Sequence, residues 1–229
     1  MSRTSTYALY ALFLLLLTGC GGGTPPKLEI THVDPEYEEA LRAGFSIAPV
    51  DRTEPIYGGA EALAEFNNEL YSSLLAFTEG VEITEPGVVL KRVKHGGEDA
   101  MALFRQFQRD RINDVPLSAG DCARIFPMVL QRFLFLPWVD EHEDTGVEDT
   151  VSGEYTTKID FAADLNNVSF KQYEGQLIGE MVDLVKGKVV WRGVARYKTG
   201  KIFIGNRPED LWNRRTQAAT DLARLLSLD

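Results

Sequence analysis

Two strand-like runs near the C-terminus constrain the fold of this chain more than any other feature. Residues 175–185 and 188–197 are rich in aliphatic and aromatic side chains, and only Lys186 and Gly187 separate them. A two-residue connection that ends in glycine is typical of a tight β-hairpin. The pattern therefore predicts an antiparallel pair of strands, which the rest of the chain has to extend and cover.

Other segments show the periods of helices and strands. Apolar residues recur at three- and four-residue spacing over residues 60–78, 97–111 and 209–226, which predicts three amphipathic helices. Further strands are predicted at residues 45–50, 81–83, 88–90, 132–139 and 151–163. Together these elements predict the α/β class, with a single mixed-sheet domain of about five or six strands packed by about three helices.

The N-terminus has the pattern of a targeting segment. Arg3 precedes an uninterrupted apolar run from Tyr7 to Leu17. That run is too short to cross a bilayer and has the length of the apolar region of a signal peptide. The run ends in Leu17-Thr18-Gly19-Cys20, which resembles the bacterial lipobox. A plain secretory signal, or an N-terminal anchor helix with an incidental cysteine, is the alternative.

The lipobox resemblance implies that the peptide is cut before Cys20 and that Cys20 carries acyl chains such as palmitate. Several acyl chains together anchor a protein stably to a membrane. Gly21 follows in place of the Asp that would imply retention in the inner membrane, so we expect the outer membrane, facing the periplasm. The membrane, reached through this lipid, is the first predicted partner.

The lipobox resemblance divides the chain into a signal peptide, a tether and a folded domain. Residues 1–19 are the predicted signal peptide, and residues 20–43 are the lipidated cysteine and a flexible tether. The tether begins with three glycines and two prolines and continues as a polar, acidic segment, with a short helix near residues 35–43 as an alternative. Residues 44–229 are predicted to form a single globular α/β domain.

Composition excludes several classes of protein. The 34 acidic residues outnumber the 24 Lys and Arg residues and give a net charge of −10, which argues against a nucleic-acid partner. Two cysteines and three histidines are too few for a disulfide framework or a cysteine-rich metal site. No common catalytic motif is present, so we predict no enzyme, no cofactor and no metal, and Cys122 as a small buried side chain.

Two clusters of polar residues are candidate sites. Residues 140–144 place His142 among four carboxylates, and we predict a solvated acidic loop, with an acid/base or metal site as the alternative. Near the C-terminal helix, basic residues contrast with the acidic chain; we expect a solvated helix face, with an interface to a partner as the alternative. The candidate interface residues are Arg207, Arg214 and Arg215, together with Trp191, for which we expect core packing.

The hairpin segment Met181 to Gly193, which reads MVDLVKGKVVWRG, resembles a recurring hairpin of bacterial envelope lipoproteins. It is similar to segments of the penicillin-binding-protein activator and curli-secretion-type lipoproteins, and the strand GFSIAPVDR resembles their first strand. The resemblance implies a small non-enzymatic domain that binds a partner across the envelope.

Three functions remain open from the sequence. The favoured one is a lipid-anchored periplasmic binding or adaptor module, whose partner is an unidentified envelope protein. The second is an accessory subunit of a transport or secretion assembly. The third is an enzyme that acts on the cell wall or on lipid, with Asp140, Glu141 and His142 as its best residues.

Overall fold

A computed structural model describes residues 28–129, 131–149, 167–203 and 209–227. Within these ranges eight strands form one mixed sheet in the order β1-β7-β6-β5-β2-β4, with β3 beside β5 and β8 beside β6. Strands β1, β7, β6 and β5 run antiparallel, whereas β2, β3 and β4 run parallel to β5. The strands are β1 Leu28–Val33, β2 Phe45–Ile47, β3 Asp51–Arg52, β4 Ile83–Thr84, β5 Phe133–Asp149, β6 Asn167–Asp183, β7 Lys188–Lys198 and β8 Ile202–Phe203.

Helices cover both faces of this sheet. The α-helices of the described ranges are α1 Tyr37–Ala43, α2 Gly59–Phe77, α3 Pro86–His95, α4 Gly97–Ile112, α5 Ala119–Ile125 and α6 Glu209–Ser227. Helices α2 and α6 pack on one face, and α3, α4 and α5 pack on the other. Strand β5 alternates between the two cores, with Phe133 and Phe135 in the first and Leu134 and Leu136 in the second. The predicted class, a single α/β domain on a mixed sheet, is confirmed.

The element count is higher than predicted because several elements are too short to show a period. Strands β3, β4 and β8 are two residues long. The strand predicted at residues 88–90 is wrong: this segment lies in α3, where Pro86 occupies the first turn and needs no amide hydrogen bond. Val89 and Val93, four residues apart, are both fully buried there. The strand predicted at residues 151–163 lies outside the described residues.

The predicted tether is too long at its C-terminal end. Leu28–Val33 forms β1 and pairs with β7, and α1 follows directly. Tyr37 and Ala40 of α1 are buried, and the Tyr37 ring stacks on Trp191 at 6.0 Å between centroids. Residues 28–43 therefore belong to the folded domain. The polar and acidic composition that predicted a tether reflects an edge strand, whose outer side chains meet solvent.

The predicted hairpin is confirmed, and its acidic residue closes the turn. Asp183 Oδ1 accepts hydrogen bonds from the backbone amides of Val185 at 2.9 Å and Lys186 at 3.1 Å. Gly187 has a φ of +63°, which suits glycine. Arg132 donates from Nε to both Asp183 oxygens at 3.0 Å. Burial alone would raise the pKa of Asp183, but Arg132 and the turn amides outweigh it and lower this pKa.

A glycine makes room for the largest side chain of the core. Trp191 is fully buried, and its ring lies 6.1 Å from that of Phe135. A Cβ atom on Gly193 would come within 2.4 Å of Trp191 Cη2. Residues 191 and 193 share one face of β7, so the indole lies flat over the position that carries no side chain. Tryptophan followed two residues later by glycine is thus a packing requirement of this strand.

We predict that Trp191→Ala lowers the free energy of unfolding by about 3–5 kcal/mol, because it opens a cavity in the core. Val185→Ala is the matched control: Val185 lies in the turn that leads into the same strand but is 62% exposed, so its truncation should change stability by less than about 0.5 kcal/mol. Urea denaturation of the three proteins measures both values. An unchanged midpoint for Trp191→Ala would contradict the placement of this ring.

Two aspartates should affect stability in opposite directions with pH. Asp221 of α6 is buried, and this burial raises its pKa even though Gln217 Nε2 donates to it at 2.9 Å. Ionised Asp221 therefore opposes folding at neutral pH, and Asp221→Asn should stabilise the protein at pH 7. Ionised Asp183 supports folding, and Asp183→Asn should destabilise the protein at pH 7.

The pH profiles separate the two variants. The gain from Asp221→Asn should fade as the pH decreases through the raised folded-state pKa of Asp221, because the wild-type carboxyl then takes up a proton in the folded state. The cost of Asp183→Asn should persist at pH 4 and shrink only below it, because its folded-state pKa is lowered. Thermal melts from pH 7 to pH 3 measure both profiles; the same sign for both variants at pH 7 would contradict these assignments.

Candidate functional site

The structure buries Arg215, one of the candidate interface residues. Arg215 of α6 is 2% exposed and forms a two-pronged ion pair with Glu141 of β5, at 2.9 Å from Nε and 2.5 Å from Nη2. Nη2 also donates to the carbonyl oxygen of Tyr57 at 2.9 Å, and Tyr197 Oη donates to Glu141 at 2.6 Å. This group holds α6 on the sheet and is not available to a partner.

The other candidate interface residues do not join Arg215 in a patch. Arg214 is partly exposed, and its Nε lies 3.4 Å from Asp210 Oδ1 one turn earlier. Trp191 is fully buried, so its interpretation as an interface residue is wrong and core packing is confirmed. Arg207 and Cys20 lie outside the described residues. The basic interface is therefore not assembled by the residues that the structure describes.

The three residues of the enzymatic alternative, Asp140, Glu141 and His142, do not form one site. The predicted acidic loop is wrong, because β5 continues to Asp149 and pairs with β6 along its length. Glu141 points into the core, whereas Asp140 lies on the opposite face and accepts hydrogen bonds from Thr53 Oγ1 at 2.6 Å and Gln176 Nε2 at 3.1 Å. The exposed His142 Nε2 lies 3.4 Å from Asp140 Oδ1. Among the described residues, no group of three or more His, Cys, Asp or Glu side chains is arranged to hold a metal ion.

A groove lies instead where the chain leaves the carboxyl end of β2. It has a volume of about 320 Å³ and opens between the β2–β3 connection and helices α3 and α4. We call it the β2 groove. Its lining residues are Pro49, Val50, Asp51, Leu90, Met101, Phe104, Arg105, Gln108 and Arg109.

Both helical layers hold the wall of this groove in place. Gln108 of α4 is buried, and its Nε2 donates to the carbonyl oxygen of Pro49 at 3.0 Å. From the other face of the sheet, Asn67 Oδ1 of α2 accepts from the backbone amide of Val50 at 2.9 Å. The connection is thus fixed by two side chains, so the groove is formed before any ligand arrives.

The charge of the β2 groove is opposite to that of the protein as a whole. Arg105 and Arg109 lie one turn apart on α4, and both are exposed. Neither takes part in an ion pair among the described residues, although Arg109 Nη2 donates to Gln106 Oε1 at 3.4 Å. Asp51 is the one acidic residue of the lining. The site is an apolar floor beside two guanidinium groups, an arrangement that suits an anion with an apolar part.

The position of the groove follows from the topology of the parallel strands. After β2 the chain passes to α2 on one face, and after the neighbouring β4 it passes to α3 on the other. Open α/β sheets bind their ligands in the crevice that such a divergence leaves at the carboxyl ends of the strands. The sequence analysis did not predict this groove. Its only sign was the four-residue spacing of Met101, Arg105 and Arg109, and many solvated helices have the same spacing.

Comparison with known proteins gives distant structural similarity only. The PelC dodecamer from Paraburkholderia phytofirmans is 13% identical, with a TM-score of 0.36 over 89% of this chain and 99% of that one. Lipoprotein GNA1162 from Neisseria meningitidis is 16% identical, with a TM-score of 0.38 over 79% of this chain and 96% of that one. No family model and no curated protein matches the sequence. Neither likeness assigns an activity or a partner to this chain.

We predict that Arg215→Met lowers the free energy of unfolding by about 3–5 kcal/mol, because it leaves Glu141 buried without its cation. Arg214→Met, on the next residue of the same helix, is the matched control and should cost about 1 kcal/mol or less, because its ion pair is partly solvated. Chemical denaturation compares the two. Equal costs for both variants would show that Arg215 is not the buried partner described here.

Proposed function

We propose that this protein is a lipid-anchored component of the bacterial cell envelope that acts as a non-enzymatic binding module at the periplasmic face of the outer membrane. The observation that carries the proposal is the sequence Leu17-Thr18-Gly19-Cys20, placed directly after an apolar run of signal-peptide length. Its partner in this role is another protein of the envelope. Within the described residues, no helix has the length and apolar character needed to span the membrane.

The start of the folded domain supports a position close to the bilayer. Strand β1 begins at Leu28, so seven residues separate it from Cys20. Even a fully extended chain of that length reaches at most about 28 Å. An acylated Cys20 would therefore keep the domain beside the membrane surface. The module would meet its partner there, and not at the far side of the periplasm.

The described side chains favour binding over catalysis. Of the candidate acid/base residues, Asp140 and His142 share one face of β5, whereas Glu141 lies on the other face and is committed to Arg215. The β2 groove is preformed and lined by charged and apolar side chains without a nucleophile beside a base. Such a site can hold a ligand or a partner's side chain, which is the property that a binding module needs.

A second candidate function is that of a subunit in a transport or secretion assembly. Strand β1 ends the described sheet, and its outer side chains include Ile30, 41% exposed, and Val33, 53% exposed. An open strand edge with exposed aliphatic residues can pair with another chain. Light scattering of the detergent-purified protein separates the two: a multimer of defined size favours the assembly, and a monomer favours the adaptor.

We predict that Cys20→Ala abolishes acylation and leaves a soluble protein or an uncleaved precursor. Cys122→Ala is the matched control, because that thiol is fully buried in the core and burial raises its pKa. Metabolic labelling with palmitate, followed by membrane fractionation, should show label and detergent-dependent extraction for the wild type and Cys122→Ala only. A Cys20→Ala protein that is normally processed and still needs detergent for extraction would overturn the proposed anchor.

A further inference from the structure

We propose that the β2 groove binds the head group of an anionic phospholipid from the membrane that carries the anchor. This inference rests on the proposed function, because it takes the membrane beside Cys20 as the source of the ligand. It goes beyond anchoring: the lipid on Cys20 would tether the domain, and the groove would fix its orientation and its preference for an anionic surface.

The charges of the groove select the head group. Arg105 and Arg109 place two guanidinium groups on adjacent turns of α4, at the edge of the site. A guanidinium group can donate two parallel hydrogen bonds to a phosphate, which makes arginine well suited to bind one. Asp51 leaves the lining with one net positive charge on a protein whose total charge is −10. An anion is therefore attracted to this groove although most of the protein repels it.

The floor of the groove selects a ligand with an apolar part. Leu90, Met101 and Phe104 line the groove together with the arginines, and Phe104 is almost fully buried. A volume of about 320 Å³ lies at the lower end of the range of small-molecule sites, which is enough for a phosphate, its glycerol and the first carbons of an acyl chain. A free phosphate would fill the charged edge and leave the apolar floor exposed to water.

The groove lies at the same level along the sheet as the entry of the chain. Strand β1 runs antiparallel to β5 and β2, so its first residue lies near the carboxyl end of β2. One cross-strand row of paired residues joins the two points: Leu28, Ala195, Leu177, Val139 and Arg52. Four strand spacings separate Leu28 from Arg52, or about 19 Å.

This row places the entry of the chain and the groove at the same level of the sheet. The chain that leads back to Cys20 leaves from Leu28, and Asp51 of the groove is next to Arg52 in the sequence. The reach of about 28 Å allowed to the connecting residues exceeds the distance between the two points along the sheet. The groove can therefore meet the same membrane surface that holds the anchor.

The test measures binding of a soluble phospholipid to the full-length protein, expressed from its own start and purified in non-ionic detergent. The probe is dihexanoylphosphatidylglycerol, with zwitterionic dihexanoylphosphatidylcholine and inorganic phosphate as competitors of different chemistry. The groove variant is Arg105→Gln with Arg109→Gln. The matched control, Arg92→Gln with Lys94→Gln, removes two exposed cations from α3 that do not line the groove.

We expect the wild type and the control variant to bind phosphatidylglycerol with the same affinity. The affinity of the groove variant should be at least tenfold lower. Thermal melts of both variants check that they are folded. Equal affinity for phosphatidylcholine, an equal loss in the control variant, or inorganic phosphate that competes as well as the phospholipid would each overturn the proposal. The assay needs no bilayer and no acyl chain on Cys20, so its result is independent of palmitate labelling.

Discussion

Three carboxylates of strands β5 and β6 point into the protein, and each is neutralised by an arginine from elsewhere in the chain. A buried carboxylate without a cation would be strongly destabilising, so each arginine has to reach its partner in the folded state. The pairs are Glu141 with Arg215, Glu180 with Arg111, and Asp183 with Arg132. Arg215 holds α6 on one face of the sheet and Arg111 holds α4 on the other. Arg132 joins α1 to the hairpin through Glu39 at 2.6 Å.

Most of the fold could be predicted from local patterns. The hairpin and helices α2, α4 and α6 are long enough to show their periods. The structure places the three helices and β7 within a few residues of the predicted bounds, whereas β6 begins eight residues earlier than predicted. Strands of two residues have no period, and α3 was misread because a pair of valines favours strands until Pro86 is considered as a helix start. The edge strand β1 was read as a tether because half-exposed strands carry the same polar residues as a linker.

The candidate site could not be predicted in the same way. The walls of the β2 groove come from three segments, at residues 49–51, 90 and 101–109, and only the fold brings them together. Charge alone misled the prediction: Arg214 and Arg215 are neighbours in sequence, yet one is partly solvated and the other is the buried partner of Glu141, 74 residues away. Sequence records that a residue is basic, but the tertiary contacts decide whether that charge is free.

The row from Leu28 to Arg52 also gives the molecule two unlike ends. If the chain that enters at Leu28 holds this end of β7 at the bilayer, the turn at Lys186 and Gly187, at the other end of β7, points away from it, into the periplasm. Val185, 62% exposed, lies in this turn. An approaching protein would meet this apolar side chain first. Anchoring would thus orient the domain, because it decides which surface is accessible to other proteins and which is shielded by lipid.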